Sequence, residues 1–391
     1  MPTTRRNEAL VKPELLLWAR ESSGYALEEA AKRVPINPNH LLACEQGKAH
    51  LTIRQLRILS NIYKRSLAFF FLPTPPAPEG HLHDYRRMPD EPEGVTSPKL
   101  RVEIRKAKYR REVALDLYAE LGEQPPVFLY EASPESGIDN VADKIRAILE
   151  VTLEQQIALR TDYTALNFWR DRIERQGILV FQSSVKINEM RGVSIWDRPL
   201  PIIVVNSKDT PHARIFSMLH ELAHLILRAT GLCLLQEKDK IEVFCNAVAG
   251  AALVPEQYFV REKLVLENRG SIDWHEAVIK SLAGRYSVSR EVILHRLLAL
   301  DYTNHAFYHR KMKQWQDEYK TKKPGESVII PQHIKTISST GKTFARLVID
   351  SYHQNRINLS NVSQYLGINV KHLANVEKAL SNPSALAGEI S

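Results

Sequence analysis

Cysteine is nearly absent from this 391-residue sequence. There are 3, Cys44, Cys233 and Cys245, with no Cys-x-x-Cys pair among them. An odd, sparse set of this kind makes no disulfide framework, and a reducing cytoplasm is the simplest setting for it. Long apolar runs are also missing. No stretch approaches the roughly 18 residues of a membrane span. The opening residues, Met1-Pro2-Thr3-Thr4-Arg5-Arg6-Asn7-Glu8, carry no apolar signal core. Internal repeats are absent too. What remains is ordinary for a globular chain: 44% hydrophobic and 25% charged residues. The length suggests about two or three domains. The net charge of +8 is compatible with nucleic-acid contact, but it is spread along the whole chain.

Apolar residues recur at helical spacing from Pro13 to Leu72, so this stretch reads as all helix. Pro73, Pro75, Pro76 and Pro78 end it and open a stiff linker. Lys99 to Gly122 reads as an amphipathic helix with Arg101, Arg105, Lys106, Lys108, Arg110 and Arg111 on it. Those cations fit a solvated face or a phosphate-binding helix. Helices are expected over 138–149 and 162–176, then three strands at 177–181, 192–196 and 201–206. The third is apolar on both faces and should be buried. Helix returns through about Leu300. A basic stretch follows, with Arg310, Lys311, Lys313, Lys320, Lys322 and Lys323, and Pro324-Gly325 breaks it.

The fold class expected is therefore α+β and mostly helical. The organisation expected is a helical helix-turn-helix domain over 1–75, a linker and connecting helix over 76–130, and a central domain with a small sheet over 131–300. A basic linker over 301–330 and a helical extension over 331–391 complete it. Within the extension, Ile357 to Leu373 reads helix, glycine turn at Gly367, helix, a second helix-turn-helix-like unit.

The chemistry is concentrated in His220-Glu221-Leu222-Ala223-His224. Residues i and i+4 share a helix face, so both imidazoles reach one ion, while Glu221 is offset toward a water beside it. The apolar flanks bury this helix, and buried imidazoles need partners. A catalytic zinc takes three protein ligands and keeps one open position. Glu242 opens the apolar run ending at Pro255 and completes a His, His, Glu set, with Glu237 and Asp239 as fallbacks. The alternative for Glu242 is a helix-start acid favoured by the dipole. Asn246 lies one turn later on the same face and could orient a ligand. Glu221 would act as general base in peptide hydrolysis. Arg191, Tyr258 and His275 are candidate transition-state donors, and the strand from Gly192 could pair with an extended substrate. Cys233 and Cys245 flank this region and read as small buried hydrophobes.

Ala26 to Val34 and Asn39 to Gly47 have helix-turn-helix spacing. The polar side chains best placed to face DNA are Asn37, Asn39, His40 and Gln46, with Lys48 for phosphate. Between Val34 and Gly47 there is no Lys or Arg.

Together these residues resemble the ImmA/IrrE family of metallo-endopeptidases fused to an N-terminal XRE-type helix-turn-helix. The resemblance rests on Val205-Asn206-Ser207, His220 to His224, Glu242 to Asn246, and the Ala-rich run to Pro255. Leu56 to Pro73, ending Phe-Phe-Phe-Leu-Pro, and His83-Asp84-Tyr85-Arg86 resemble the connector of the fused subfamily. The turn Val34-Pro35-Ile36 departs from the family pattern, where a glycine is usual. The resemblance implies a zincin-like central domain, with zinc held by His220, His224 and Glu242 and Glu221 as catalytic base. It also implies a regulatory role, cutting or displacing a partner helix-turn-helix repressor in a transcriptional or stress switch. The alternative it implies is a DNA-binding antitoxin that neutralises a PIN-like ribonuclease toxin by contact. Operator DNA is then a partner. The lack of a long apolar run leaves no membrane partner expected.

Overall fold

The computed structural model describes residues 8–63, 65, 67–76, 85–86, 97–186, 189–228, 238–321 and 330–381. It is mostly helical with small sheets, the α+β class expected from the sequence. The chain divides into two compact units, Met1–Lys106 and Ala107–Ser391.

In the first unit, β1 (Glu8–Ala9), α1 (Pro13–Ser22), α2 (Leu27–Arg33), α3 (Pro38–Glu45), β2 (Leu51–Thr52) and α4 (Ile53–Tyr63) follow one another. A 3-10 turn (Leu67–Phe71), β3 (Tyr85–Arg86) and the start of α5 (Pro98–Leu121) complete it. Leu15, Leu16, Ala19, Ala30, Leu41, Leu56, Leu59 and Phe70 form its core. The all-helical reading of Pro13 to Leu72 needs one correction. Leu51–Thr52 is a strand, paired antiparallel with Glu8–Ala9. Two residues are too few to show a period-2 pattern. Thr52 then caps α4 reciprocally: its Oγ1 accepts from Gln55 N–H at 3.2 Å, and Gln55 Oε1 accepts from Thr52 N–H at 2.9 Å.

The arginines of α5 are used in neither of the two ways read from the sequence. Arg105 is buried and donates to the carbonyls of Tyr63 (2.7 Å) and Ser22 (3.1 Å). Farther along, in the second unit, Arg111 donates to the carbonyls of Arg198, Pro199 and Leu200. Arg110 donates to Ser339 O at 3.2 Å and lies over the Phe181 ring. These guanidiniums tie α5 to carbonyls that no regular ladder satisfies.

The second unit contains α6 (Ile138–Ile148), α7 (Leu153–Ile157) and α8 (Asp162–Glu174), then β4 (Leu179–Ser183), β5 (Gly192–Ile195) and β6 (Ile202–Asn206). Next come α9 (Pro211–Arg228), α10 (Lys238–Leu253), α11 (Glu256–Phe259), α12 (Lys263–Glu267), α13 (Glu276–Tyr286) and α14 (Arg290–Ala299). The chain continues through α15 (His305–Thr321), α16 (Gln332–Thr340), α17 (Lys342–His353), α18 (Leu359–Leu366) and α19 (Leu373–Ser381). Strand β6 is central: it runs parallel to β4 (Leu179 opposite Ile202) and antiparallel to β5 (Gly192 opposite Val205). Every residue of β6 is buried, as its two apolar faces require. The basic stretch after Leu300 forms α15 as far as Thr321, because Phe307 and Trp315 put an apolar stripe on it; both are buried.

A buried ion pair fastens the last helices to the sheet. Arg170 Nε lies 3.0 Å from Glu174 Oε1, and its guanidinium also donates to Ile337 O and Val180 O. Glu174 Oε2 accepts from Thr343 N–H (2.9 Å) at the start of α17. Gly341 sits between them at φ 82°, and a Cβ there would stand 2.7 Å from Glu174 Oε1. Only glycine fits both the angle and the gap.

Candidate metal centre

Helix α9 starts where Thr210 Oγ1 accepts the Ala213 N–H at 3.3 Å, with Pro211 as its first residue. It packs against β5, β6, α8 and α10. That wrapping buries His220, Glu221 and His224 to 0%, 1% and 3% exposure. Helix α10 lies against α9 and α6. Ala249, Ala251 and Ala252 are among its buried residues, and such small side chains let helices approach closely. The approach delivers Glu242, half-buried, to the two imidazoles.

His220 Nε2 and His224 Nε2 are 3.1 Å apart. Each lies 3.2 Å from one carboxylate oxygen of Glu242, His220 from Oε2 and His224 from Oε1. Donors bound to zinc at about 2.0–2.1 Å with tetrahedral angles stand about 3.3 Å apart. The three observed edges fit that figure, and imidazole and carboxylate are donor types zinc accepts. Asn246, one turn beyond Glu242, has a buried Oδ1 with no hydrogen-bond partner among the described residues. A buried acceptor one turn from Glu242 suits a shell around a metal.

The electrostatics of the three groups are coupled. Burial pushes the Glu242 carboxyl up, but the two imidazoles hold it well below the usual carboxylate range. Burial also works against charge on His224. Hydrogen bonding to Cys245 and to Glu242 outweighs it and pushes the imidazole up to about 11. Cys245 is a buried free thiol whose own pKa burial raises.

Gly192, the first residue of β5, faces Glu221. A Cβ there would stand 2.8 Å from Glu221 Oε1 and 3.0 Å from its Cγ. The bare backbone makes room for the carboxylate, a role with no signal in the sequence, because strand and helix meet only in three dimensions. Asn206 shapes the approach to Gly192: its Nδ2 donates to Met190 O (2.8 Å) and Val185 O (3.3 Å).

Residues 173–298 match the model of the IrrE N-terminal-like domain, Peptidase M78. This domain holds β4 to β6, α9 and α10, and so every residue of the His220, Glu221, His224 and Glu242 cluster; it is less than half of the chain. No curated protein matches. A Mycobacterium tuberculosis transcriptional regulator of known structure is similar at 18% identity over 48% of this chain and 51% of that one, with a TM-score of 0.27. The match thus spans about half of that regulator's length.

Other residues singled out in the sequence fall in different places. Arg191 adjoins Gly192 and lies 3.5 Å from Asp209. His275 caps α13 by accepting the Ala277 N–H at 3.4 Å, and Tyr258 is half-exposed on α11. Glu237, the side chain of Asp239, Cys233 and His83-Asp84 lie outside the described residues. In the first unit, Asn37 Oδ1 accepts the Asn39 N–H at 2.9 Å and so caps α3. Asn39 is exposed, His40 lies 3.8 Å from Cys44 Sγ, and Gln46 accepts from Lys48 Nζ at 2.9 Å. No described helix is long and apolar enough to cross a membrane.

Proposed function

We propose that this chain is a zinc-dependent endopeptidase acting on a regulatory protein, a helix-turn-helix repressor being the substrate class. One observation carries the reading: His220, His224 and Glu242 present three donors at zinc spacing, with Glu221 buried on the same helix. The match of residues 173–298 to a peptidase domain supports it. When bound, zinc supplies a Lewis acid for the scissile carbonyl. The chain's own residues do the rest. His220, His224 and Glu242 hold the ion, and Asn246 orients the shell. Glu221 takes the proton of the attacking water and passes it to the leaving amide nitrogen. Gly192 leaves the space in which the Glu221 carboxylate stands. The α2–α3 pair serves recognition, of operator DNA or of the partner protein.

The test compares zinc-loaded wild type with Glu221→Gln in native lysate and reads new protein N-termini by mass spectrometry. The expected result is cleavage of a repressor-like protein by wild type and its intact capture by the variant. One uncut partner held equally by both, a nuclease above all, would overturn the peptidase reading in favour of an antitoxin.

A further inference from the structure

The last two helices among the described residues carry a surface that the metal centre does not use. Helix α18 begins with a reciprocal cap between Asn358 and Asn361 and ends at Gly367, which is left-handed at φ 66°, ψ 34°. Ile368 is buried in the turn, and its carbonyl accepts from Ser363 Oγ at 2.5 Å. Asn369 then caps a 3-10 turn (Val370–His372) that runs straight into α19. Val362, Leu366, Ile368, Leu373, Val376 and Leu380 are buried beneath the pair. This is a helix-turn-helix in build: two short helices, a tight glycine turn and a shared core.

The opposite face of the second helix is exposed. It carries Ala374, Asn375 and Lys378, and the 3-10 turn before it adds the exposed Val370 and Lys371. From Gln354 to Ser381 the charged residues are Arg356, Lys371 and Lys378 against Glu377. Glu377 is turned to His353, at 3.0 Å, leaving the cations to set the sign of the exposed face. Each group on that face has a counterpart in the major groove of B-DNA. Asn pairs bidentately with adenine, Lys reaches guanine or phosphate, and Val and Ala meet the thymine methyl. The deep, narrow major groove of A-form RNA does not admit a helix, so the surface fits duplex DNA.

We infer that α18 and α19 form a DNA-reading unit, with α19 lying in the major groove and Lys371, Asn375 and Lys378 as its contacts. The test is selection from a duplex DNA pool randomised at its centre, using the full chain, followed by affinity and salt titrations on the enriched sequence. Wild type is expected to enrich a motif. Lys371→Glu with Lys378→Glu should weaken binding to it more than about tenfold and lower the salt slope by about 1.8, the release of two phosphate contacts. Asn375→Ala should keep the slope and relax preference at one base pair by about fivefold or more. All three positions are exposed, so the thermal midpoint should not move. If the charge variant loses its fold, the neutral Asn375→Ala variant decides the matter. The inference is overturned by any of three results: no enriched duplex, enrichment from a single-stranded RNA pool instead, or a motif whose binding falls with Lys48→Glu but not with the α19 changes.

Discussion

Helices α9 and α10 bring polar side chains together in the interior of the second unit, whereas most polar side chains of α2 and α3 lie on the surface of the first, and the two sets fare differently. Inside, polar groups have no water to turn to, so they converge: His220, His224 and Glu242 stand within hydrogen-bonding distance of one another. At the surface, polar groups settle into the nearest local partner. Asn37 is occupied by the α3 cap, and Gln46 by Lys48. A motif that is buried therefore constrains its chemistry far more tightly than one that is exposed. The same spacing on a surface leaves its occupant to be read from charge and free donors.

Four changes break or sharpen this contrast. The largest effect is expected at Glu221. Glu221→Gln should lower cleavage by about 10²–10⁴-fold, the usual share of a general base, while zinc content stays the same. Metal analysis beside a single-turnover assay checks both halves. Gly192→Ala should follow, with cleavage down by about tenfold and zinc still bound, because a Cβ there would stand 2.8 Å from Glu221 Oε1 and push the carboxylate from its place. Unchanged cleavage would show that the carboxylate's place against β5 does not matter.

Zinc affinity should rise with pH by about tenfold per unit through neutrality. With its pKa raised to about 11, His224 is protonated there, and the ion must displace that proton. Competition with a chelator at several pH values, together with proton release on binding, measures this. A flat profile would mean that His224 carries no proton for the ion to displace. The smallest effect is expected at the surface pair. Asn37→Ala should destabilise the first unit by about 1 kcal/mol through loss of the cap, and Asn37→Ser should restore most of it. Thermal melts of the full chain give the comparison. Equal melts for all three would release Asn37 from the capping role and return it to base contact.

The interior was the more legible part in sequence for the same reason. His220 and His224 share a helix face by spacing alone, and an apolar helix with one early acid made Glu242 the natural third donor. The central strand 202–206 announced itself by being apolar on both faces. What stayed hidden depends on contacts distant along the chain. No local pattern marks Gly192 as the wall behind Glu221, nor Cys245 as the neighbour of His224. Arg105 and Arg111 looked like surface cations, yet their guanidiniums bind carbonyls far from them in sequence. The two-residue strand Leu51–Thr52 is too short for any periodic signal.

The central claim is that His220, His224 and Glu242 hold one zinc ion between them. Native mass spectrometry of wild type and Glu242→Ala, each at one equivalent of zinc, tests it most directly. The account predicts one zinc per wild-type chain and a clear loss in the variant, with both proteins folded. Equal zinc in the two, or none in wild type, would contradict it.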